Sequence, residues 1–500
     1  MRPARPHPLL YQVNTRAHLS EVAQRLARSA TLDDISTAFL EQLARDGFDW
    51  LWLLGLWQTG PASRRVSLSD PGLRVSAAAT LPDLSDADIV GSPFAVAGYV
   101  VRPEWGGNDA LARLRQRAAA SGLRLMLDFV PNHTGLDHPW LEEHPEYYVH
   151  GSPDDLARAP QSYVRVRSRG RDLVLAYGRD PYFPGWADTL QLDYRHAGLR
   201  EAMRQELLRI GQRCDGVRCD MAMLVQPDVF AKTWPGGPAD GSSPVHEPFW
   251  REAIARVRRD TPRFTFLAEV YWGREWELQE EGFDYTYDKE LYDRLRSGDG
   301  RRVREHLRAE PLYQRRSARF LENHDEPRAA ATFPDEVQRA AAVIAFFAPG
   351  LRFFHEGQLE GRRVQTSLHV RRRPAEPPDE KLQSFYARLL GCLERPEVHT
   401  GEWSLRVCRP AWEGNESFRD LIVMAWVEAE RRLVLAVNYS PHPSQCYVTL
   451  DLPGVAGRRF ALIDRLGGAR YSRDGDALAG DGLYLDMPAW GHHAFELEPR

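Results

Sequence analysis

Phe48 to Leu56 reads FDWLWLLGL, a run that is apolar on both faces of an extended chain. A strand of that kind is stable only where both faces are covered, the situation of a parallel sheet flanked by helices. Leu123 to Val130 (LRLMLDFV) and Phe264 to Ala268 (FTFLA) repeat the pattern. Between such runs the apolar residues fall at helical spacing. Ile35, Phe39 and Leu43 share one face, with Thr31 or Asp33 as cap and Gly47 as stop. Leu111, Leu114 and Ala118 do the same between Asn108, read as a cap, and Gly122. Met203, Leu207 and Ile210 form a third face, and Val337, Ala341 and Ile344 a fourth. With further strands at Leu9–Val13, Gly216–Cys219, Phe283–Thr286, Ala318–Asn323 and Leu351–Phe354, about eight strand–helix units result, the number a (β/α)8 barrel needs.

Three stretches break the alternation. Gly60 to Ser92 is polar and rich in Gly, Pro and Ser, and reads as loop. Thr134 to about Gly185 is rich in Pro, His, Tyr and Asp and too long for an ordinary connection, so it reads as a small inserted domain after the third strand. Beyond Glu394, strand-like segments such as Leu421–Val427, Leu433–Val437 and Gln445–Leu450 are separated by turn residues. The expected organisation is therefore α/β: a (β/α)8 TIM barrel from 1–133 and 186–395, an insertion at 134–185, and an all-β sandwich at 396–500.

Composition narrows the partners. The 500 residues are 43% hydrophobic, with a net charge of −5. No basic patch invites nucleic acid and no apolar run reaches membrane-spanning length. The five cysteines have no zinc-knuckle spacing, and Met1–His7 lacks the apolar core of a signal peptide, so the expected address is cytoplasmic. No sequence pattern speaks to oligomeric state.

In a barrel of this kind the reacting groups sit at the C-terminal ends of the strands. Those ends supply Asp128 and His133, then Asp220, Glu269, and His324 with Asp325. No Gly-rich phosphate cradle accompanies them, and His133, His138 and His144 lack metal-ligand spacing. Arg218 lies two positions before Asp220 on a strand, so both side chains point the same way. That pair reads either as a structural salt bridge or as an ionised carboxylate nucleophile. Glu269, on an apolar strand beside Tyr271 and Trp272, would be pushed toward its protonated form by burial. One ionised and one protonated carboxyl are the equipment for retaining glycoside hydrolysis, with Asp325 stabilising the positive charge that develops on the sugar.

Four short motifs occur in order: Asp128-Phe129-Val130-Pro131-Asn132-His133, Gly216-Val217-Arg218-Cys219-Asp220, Ala268-Glu269-Val270-Tyr271 and Asn323-His324-Asp325. In these the chain resembles the α-amylase family, glycoside hydrolase family 13, over nearly its full length. The resemblance implies Asp220 as nucleophile, Glu269 as acid/base and Asp325 as transition-state stabiliser. It implies Arg218, His133 and His324 as ligands of the donor sugar and Phe94 as its stacking ring. It equates the insertion with the family's B domain and Trp186–Asp193 with a further motif closing it. Asn132 matches a calcium ligand of many members, yet no calcium or other cofactor is expected here.

The departures bear on substrate. Leu224 stands where many members carry a histidine that meets the acceptor sugar, so Leu224 reads as a changed acceptor subsite or as core. Trp272 reads as an aromatic wall for that sugar or as packing. The expected function is retaining hydrolysis of α-glucans, malto-oligosaccharides or small α-glucosides. Transglycosylation or isomerisation through the same intermediate is the alternative, and a non-catalytic barrel the remote one.

Overall fold

The computed structural model describes residues 5–450 and 452–500. Residues 1–4, the start of the expected first barrel segment and of the stretch examined for a leader, lie outside the described residues, as does position 451 in the tail. Eight strands close a parallel barrel in chain order: Leu9–Asn14, Trp50–Leu54, Arg124–Phe129, Gly216–Cys219, Thr265–Ala268, Tyr285–Tyr287, Ser317–Arg319 and Leu351–His355. Every residue of Trp50–Leu54 is buried. Alternate side chains fill the barrel interior while the others meet the surrounding helices, which is why the run had to be apolar on both faces.

The helices obey the same logic, with local corrections. Thr31 caps only the single turn Leu32–Asp34, and Ser36 caps the helix Thr37–Arg45 by accepting from the Phe39 N–H. Asn108 lies inside the helix Gly107–Ala120, where its side chain accepts from the Val101 N–H instead of capping. The helix Thr15–Leu26, with Asn14 as its cap, was not anticipated from spacing. The largest correction is at 60–92, which contains two helices, Pro61–Ser69 and Pro71–Thr80. Each opens on a proline, and Asp70 caps the second by accepting from Gly72 and Leu73. Proline and aspartate punctuate turns and helix starts alike, which is why composition alone suggested loop. These helices pack on a small satellite core of Ala77, Leu81, Ile89 and Val370.

The insertion is stapled at its root by an antiparallel pair, His133–Gly135 against Thr189–Gln191, so its return strand runs past residue 185. A hairpin, Tyr163–Ser168 with Arg171–Ala176, forms its body. The tail carries a six-stranded and a three-stranded sheet, both antiparallel. Val423, Ala425, Val434 and Ala436 of the larger sheet share a core with Cys446, Val448 and Leu485 of the smaller one. Their alternates Ile422, Met424, Trp426, Leu433 and Leu435 join the barrel's core. The Trp426 indole N–H donates to the Phe347 carbonyl at 2.8 Å, tying the tail to the helix Asp335–Phe347 that precedes the last barrel strand. Among the described residues no helix is long and apolar enough to cross a membrane.

Asp128, the first residue of the first motif, is a brace. It is 2% exposed, and its carboxylate accepts from the Trp52 indole at 3.1 Å and the Gly55 N–H at 2.7 Å. It thereby pins the second barrel strand to the third. Asp128→Ala leaves both donors buried without partners, at about 1–3 kcal/mol each. A loss of about 2–6 kcal/mol in chemical denaturation is expected, and an unchanged midpoint would remove the brace.

Candidate active site

The strand register sets the centre. Gly216 to Cys219 pair with Thr265 to Ala268 residue by residue. The ladder continues one step further, with the Glu269 N–H donating to the Cys219 carbonyl at 3.0 Å. Asp220 and Glu269 therefore leave adjacent strands at the same height.

Arg218 lies beneath both and is fully buried. Its Nη1 donates to Asp220 Oδ1 at 2.6 Å and its Nη2 to Glu269 Oε2 at 2.7 Å. Around the guanidinium stand the rings of Phe94, Trp52 and Tyr287, at 5.2, 5.5 and 6.0 Å. The sequence pairing of Arg218 with Asp220 alone is thus incomplete: one cation serves two carboxylates. Glu269 has further donors. Met221, in the left-handed region at φ 43°, turns its N–H to Glu269 Oε2 at 2.7 Å, and the Tyr271 hydroxyl reaches Oε1 at 2.9 Å.

Asp325 stands across the opening and is nearly half exposed, at 46% of its side chain. Asn323 Oδ1 accepts from the backbone N–H groups of Asp325 and Glu326, at 2.8 and 2.9 Å, which folds the loop that presents it. The His324 Nε2 lies 3.0 Å from Asp325 Oδ2, and its Nδ1 lies 2.9 Å from the Gln12 amide.

Burial drives the titration. It raises Glu269 to about 7, against the opposing pull of Arg218, with Asp220 and Asp325 adding to the rise. Burial also lifts Asp220 above the usual aspartate range, and Arg218 again opposes it. Asp325 goes the other way, because His324 and then Arg218 outweigh the burial. One fixed cation among three close carboxylates leaves room for one proton near neutrality, and Glu269 holds it. His133 is lowered to about 4 by burial and is therefore neutral.

A cleft of about 540 Å³ opens above these groups. Phe94, His133, Asp220, Glu269 and Asp325 line it, joined by Met221, Tyr271, Trp186, Ser67 and His369. Arg218 and His324 are buried beside the carboxylates, Arg218 against Asp220 and Glu269 and His324 against Asp325. Leu224 is 3% exposed, on the turn Ala222–Val225 whose four residues are all buried, and packs in the core. Trp272 is 43% exposed on the rim, edge-on to the Tyr182 ring of the insertion at 5.0 Å, and lines a neighbouring cavity. Ser67, on the helix Pro61–Ser69, and His369, on an irregular segment about 300 residues away, are hydrogen-bonded at 2.8 Å, a pairing that no local sequence pattern marks. Met221 had a signal only in its position one after Asp220.

The oxygens at Asn132 are already engaged. The Gln191 amide nitrogen donates to the Asn132 carbonyl and to its Oδ1, both at 2.9 Å, and to the Leu192 carbonyl at 3.2 Å. A cation at Asn132 would need the space that this donor fills, so the residues present do not fit calcium there. Among the described residues no three His, Cys, Asp or Glu side chains come together as a metal site.

A family model described as "Alpha amylase, catalytic domain" matches residues 95–373, more than half of the chain. The chain is 25% identical to "Alpha-amylase MalA" of Haloarcula japonica over 76% of its own length and 51% of that relative's. It is 24% identical to the "Alpha-1,4-glucan:maltose-1-phosphate maltosyltransferase" of Salinibacter ruber, over 94% of this chain and 66% of that one. It thus spans about half to two thirds of the length of these curated relatives. Among solved structures, an α-amylase from Lactobacillus plantarum superposes with a TM-score of 0.68 at 23% identity, covering 98% of this chain and 99% of that one. An acarbose-bound α-amylase from Geobacillus thermoleovorans gives 0.64 at 17%, covering 100% and 99%. At those identities the likeness speaks for the fold.

Removing Arg218 strands two buried carboxylates. Arg218→Leu is expected to lower unfolding free energy by about 3–5 kcal/mol near neutrality, and by less as acid protonates the pair. A denaturation series across pH reads both; a loss that does not shrink in acid would show that the guanidinium does not hold the pair.

Proposed function

The chain belongs to the α-amylase family by its catalytic-domain match, and on that footing we propose that it is a retaining α-glycoside hydrolase acting on α-glucans, malto-oligosaccharides or small α-glucosides. The observation that carries the reading is the single Arg218 guanidinium joining Asp220 and Glu269 at the same height on neighbouring strands. Two carboxyls bridged by one guanidinium are held close together, as the roughly 5–5.5 Å spacing of retaining enzymes requires and the roughly 6.5–9.5 Å of inverting ones does not.

In this mechanism an Asp220 oxygen attacks the anomeric carbon while the glycosidic oxygen takes the proton of Glu269 and departs with the bond electrons. The positive charge that develops on the sugar ring is met by Asp325, which His324 flanks at 3.0 Å. Glu269, now ionised, takes a proton from water. That water opens the glycosyl–aspartate ester, returning Asp220 as carboxylate and Glu269 as acid. Phe94 supplies a ring face for the donor sugar, and neutral His133 a hydrogen bond. Arg218 stabilises whichever of its two carboxylates is ionised.

Transfer to a sugar acceptor instead of water is the second reading. It is favoured by 34% identity to the "Alpha-1,4-glucan:maltose-1-phosphate maltosyltransferase" of Burkholderia pseudomallei over 52% of this chain, though only 19% of that relative. Product analysis divides the two. Longer or rearranged glycosides from malto-oligosaccharides would establish transfer, and free sugars alone would establish hydrolysis.

The primary test is turnover of aryl α-glucosides and malto-oligosaccharides. Asp220→Asn should reduce kcat/KM by about 10⁴-fold, and a wild type no faster than this variant would overturn the reading. The first-formed product should be the α-anomer by NMR, a β-anomer excluding retention. Because Glu269 must enter protonated, kcat/KM should fall as pH rises through about 7 and fall again in acid as Asp220 takes up a proton. Glu269→Gln should lose about 10²–10⁴-fold and flatten the basic limb for substrates with poor leaving groups. We also propose that no calcium is needed, since the Gln191 amide stands among the Asn132 oxygens. A chelator should leave activity and melting temperature unchanged, and loss of either on chelation, restored by calcium, would refute this.

A further inference from the structure

A cavity of about 60 Å³ lies between the start of the helix Ala197–Gly211 and the segment that follows the helix Pro227–Thr233. It shares no wall residue with the catalytic cleft. A single water needs roughly 10–15 Å³ of such space, so there is room for a small polyatomic ion. Tyr194, Arg195, Arg200, Phe230, Trp234 and His246 stand in its wall.

Two of these groups are buried without partners. Arg200 is 4% exposed, and among the described residues its guanidinium forms no ion pair and no hydrogen bond. Its ring contact, with Phe249, is long, at 5.9 Å. Tyr194 is 3% exposed, and its hydroxyl is buried with neither donor nor acceptor beside it. The neighbouring cations, by contrast, are compensated. Arg195 is paired with Asp193 at 2.7 Å, and its Nη1 donates to the Trp234 carbonyl at 3.1 Å. Arg204 is paired with Glu201 at 3.1 Å and with Glu252 at 2.9 Å. Of the two acids whose charge reaches Arg200, Glu252 is thus engaged elsewhere, and Glu247 is exposed and makes no ion pair with it. A buried guanidinium without a counter-charge is costly. A neutral ligand or a cation would leave that charge uncompensated, whereas a planar fork of donors beside a free hydroxyl matches the oxygens of a tetrahedral oxyanion.

We propose that this cavity is an anion site for a phosphate-sized oxyanion, free or as the terminal group of a monoester, with Arg200 as counter-charge and the Tyr194 hydroxyl as a further donor. The site is independent of the glycosidase reading of the cleft. An ion held there ties the start of the helix Ala197–Gly211 to the segment after Thr233, which Arg195 already holds through the Trp234 and Pro235 carbonyls. Val225 also stands in the wall, at the end of the turn that follows Met221. Occupancy therefore braces the far end of the turn whose near end gives its N–H to Glu269.

The test is calorimetric titration of inorganic phosphate into the full chain, in an amine buffer at fixed ionic strength. One site per chain is expected, with half-saturation in the millimolar range or below, and a melting temperature that rises with phosphate. Arg200→Met should abolish binding and leave the phosphate-free protein at least as stable as the wild type, because no partner is lost. Tyr194→Phe, which removes only the hydroxyl, should weaken binding about fivefold. Glu247→Gln should bind phosphate at least as well as the wild type; if it is instead destabilised without phosphate, Glu247 is the partner of Arg200 in solution and the proposal is overturned. Glucose 1-phosphate separates the sources of the oxyanion. Binding that depends on Arg200 supports a phosphoryl group carried on a larger molecule, and binding of inorganic phosphate alone supports the free ion. No binding of either, the same heat and stabilisation from chloride, or phosphate affinity unchanged in Arg200→Met overturns the proposal.

Discussion

Arg218 has one guanidinium and two carboxylates to satisfy, Asp220 through Nη1 and Glu269 through Nη2. A buried ion cluster of this kind is a poor source of stability, because desolvation offsets much of the attraction. What it provides is placement. The two oxygens that must reach one sugar are held from below by a planar, permanently charged fork, and neither can move without leaving the other's cation uncompensated. The aromatic rings of Phe94, Trp52 and Tyr287 surround that fork, so the placement of Asp220 and Glu269 is set from within the barrel.

The same sharing separates the two carboxyls chemically. With three carboxylates around one fixed positive charge, full ionisation is unfavourable. Asp325 secures its ionised form from His324, and Glu269 keeps a proton to about 7. Backbone geometry contributes as well: the left-handed turn at Met221 points an N–H at Glu269, and the register of the fourth and fifth strands sets both carboxyls at one height. Three layers thus act together, the strand ladder fixing position, the cation fixing orientation, and burial setting protonation.

Outside this centre the fold builds walls from segments distant in the chain. The helices at 61–80 and the segment around His369 form one side of the cleft, and the stapled insertion brings His133 and Trp186 to it. Gln191, on the returning strand of that staple, uses its amide to tie Asn132 to Leu192. The insertion's position is thereby secured by protein donors at the root of the site.

The barrel was legible in the sequence because strands covered on both faces must be apolar throughout, as Trp50–Leu54 and Thr265–Ala268 are, and because helical spacing marks the layer around them. The three carboxylates were legible because strand-end positions can be counted along the chain. Helix starts at Pro61 and Pro71 were not, since the residues that open a helix also make turns. The burial of Leu224 was not legible either: the direction in which a turn folds back is set by contacts such as Asn323 with Asp325 and Ala222 with Glu269. Sequence thus determined which strands could form and which chemical groups stood at their ends. Only the tertiary structure decided that one arginine would serve two acids, because that requires two strands about fifty residues apart to pair in a single register.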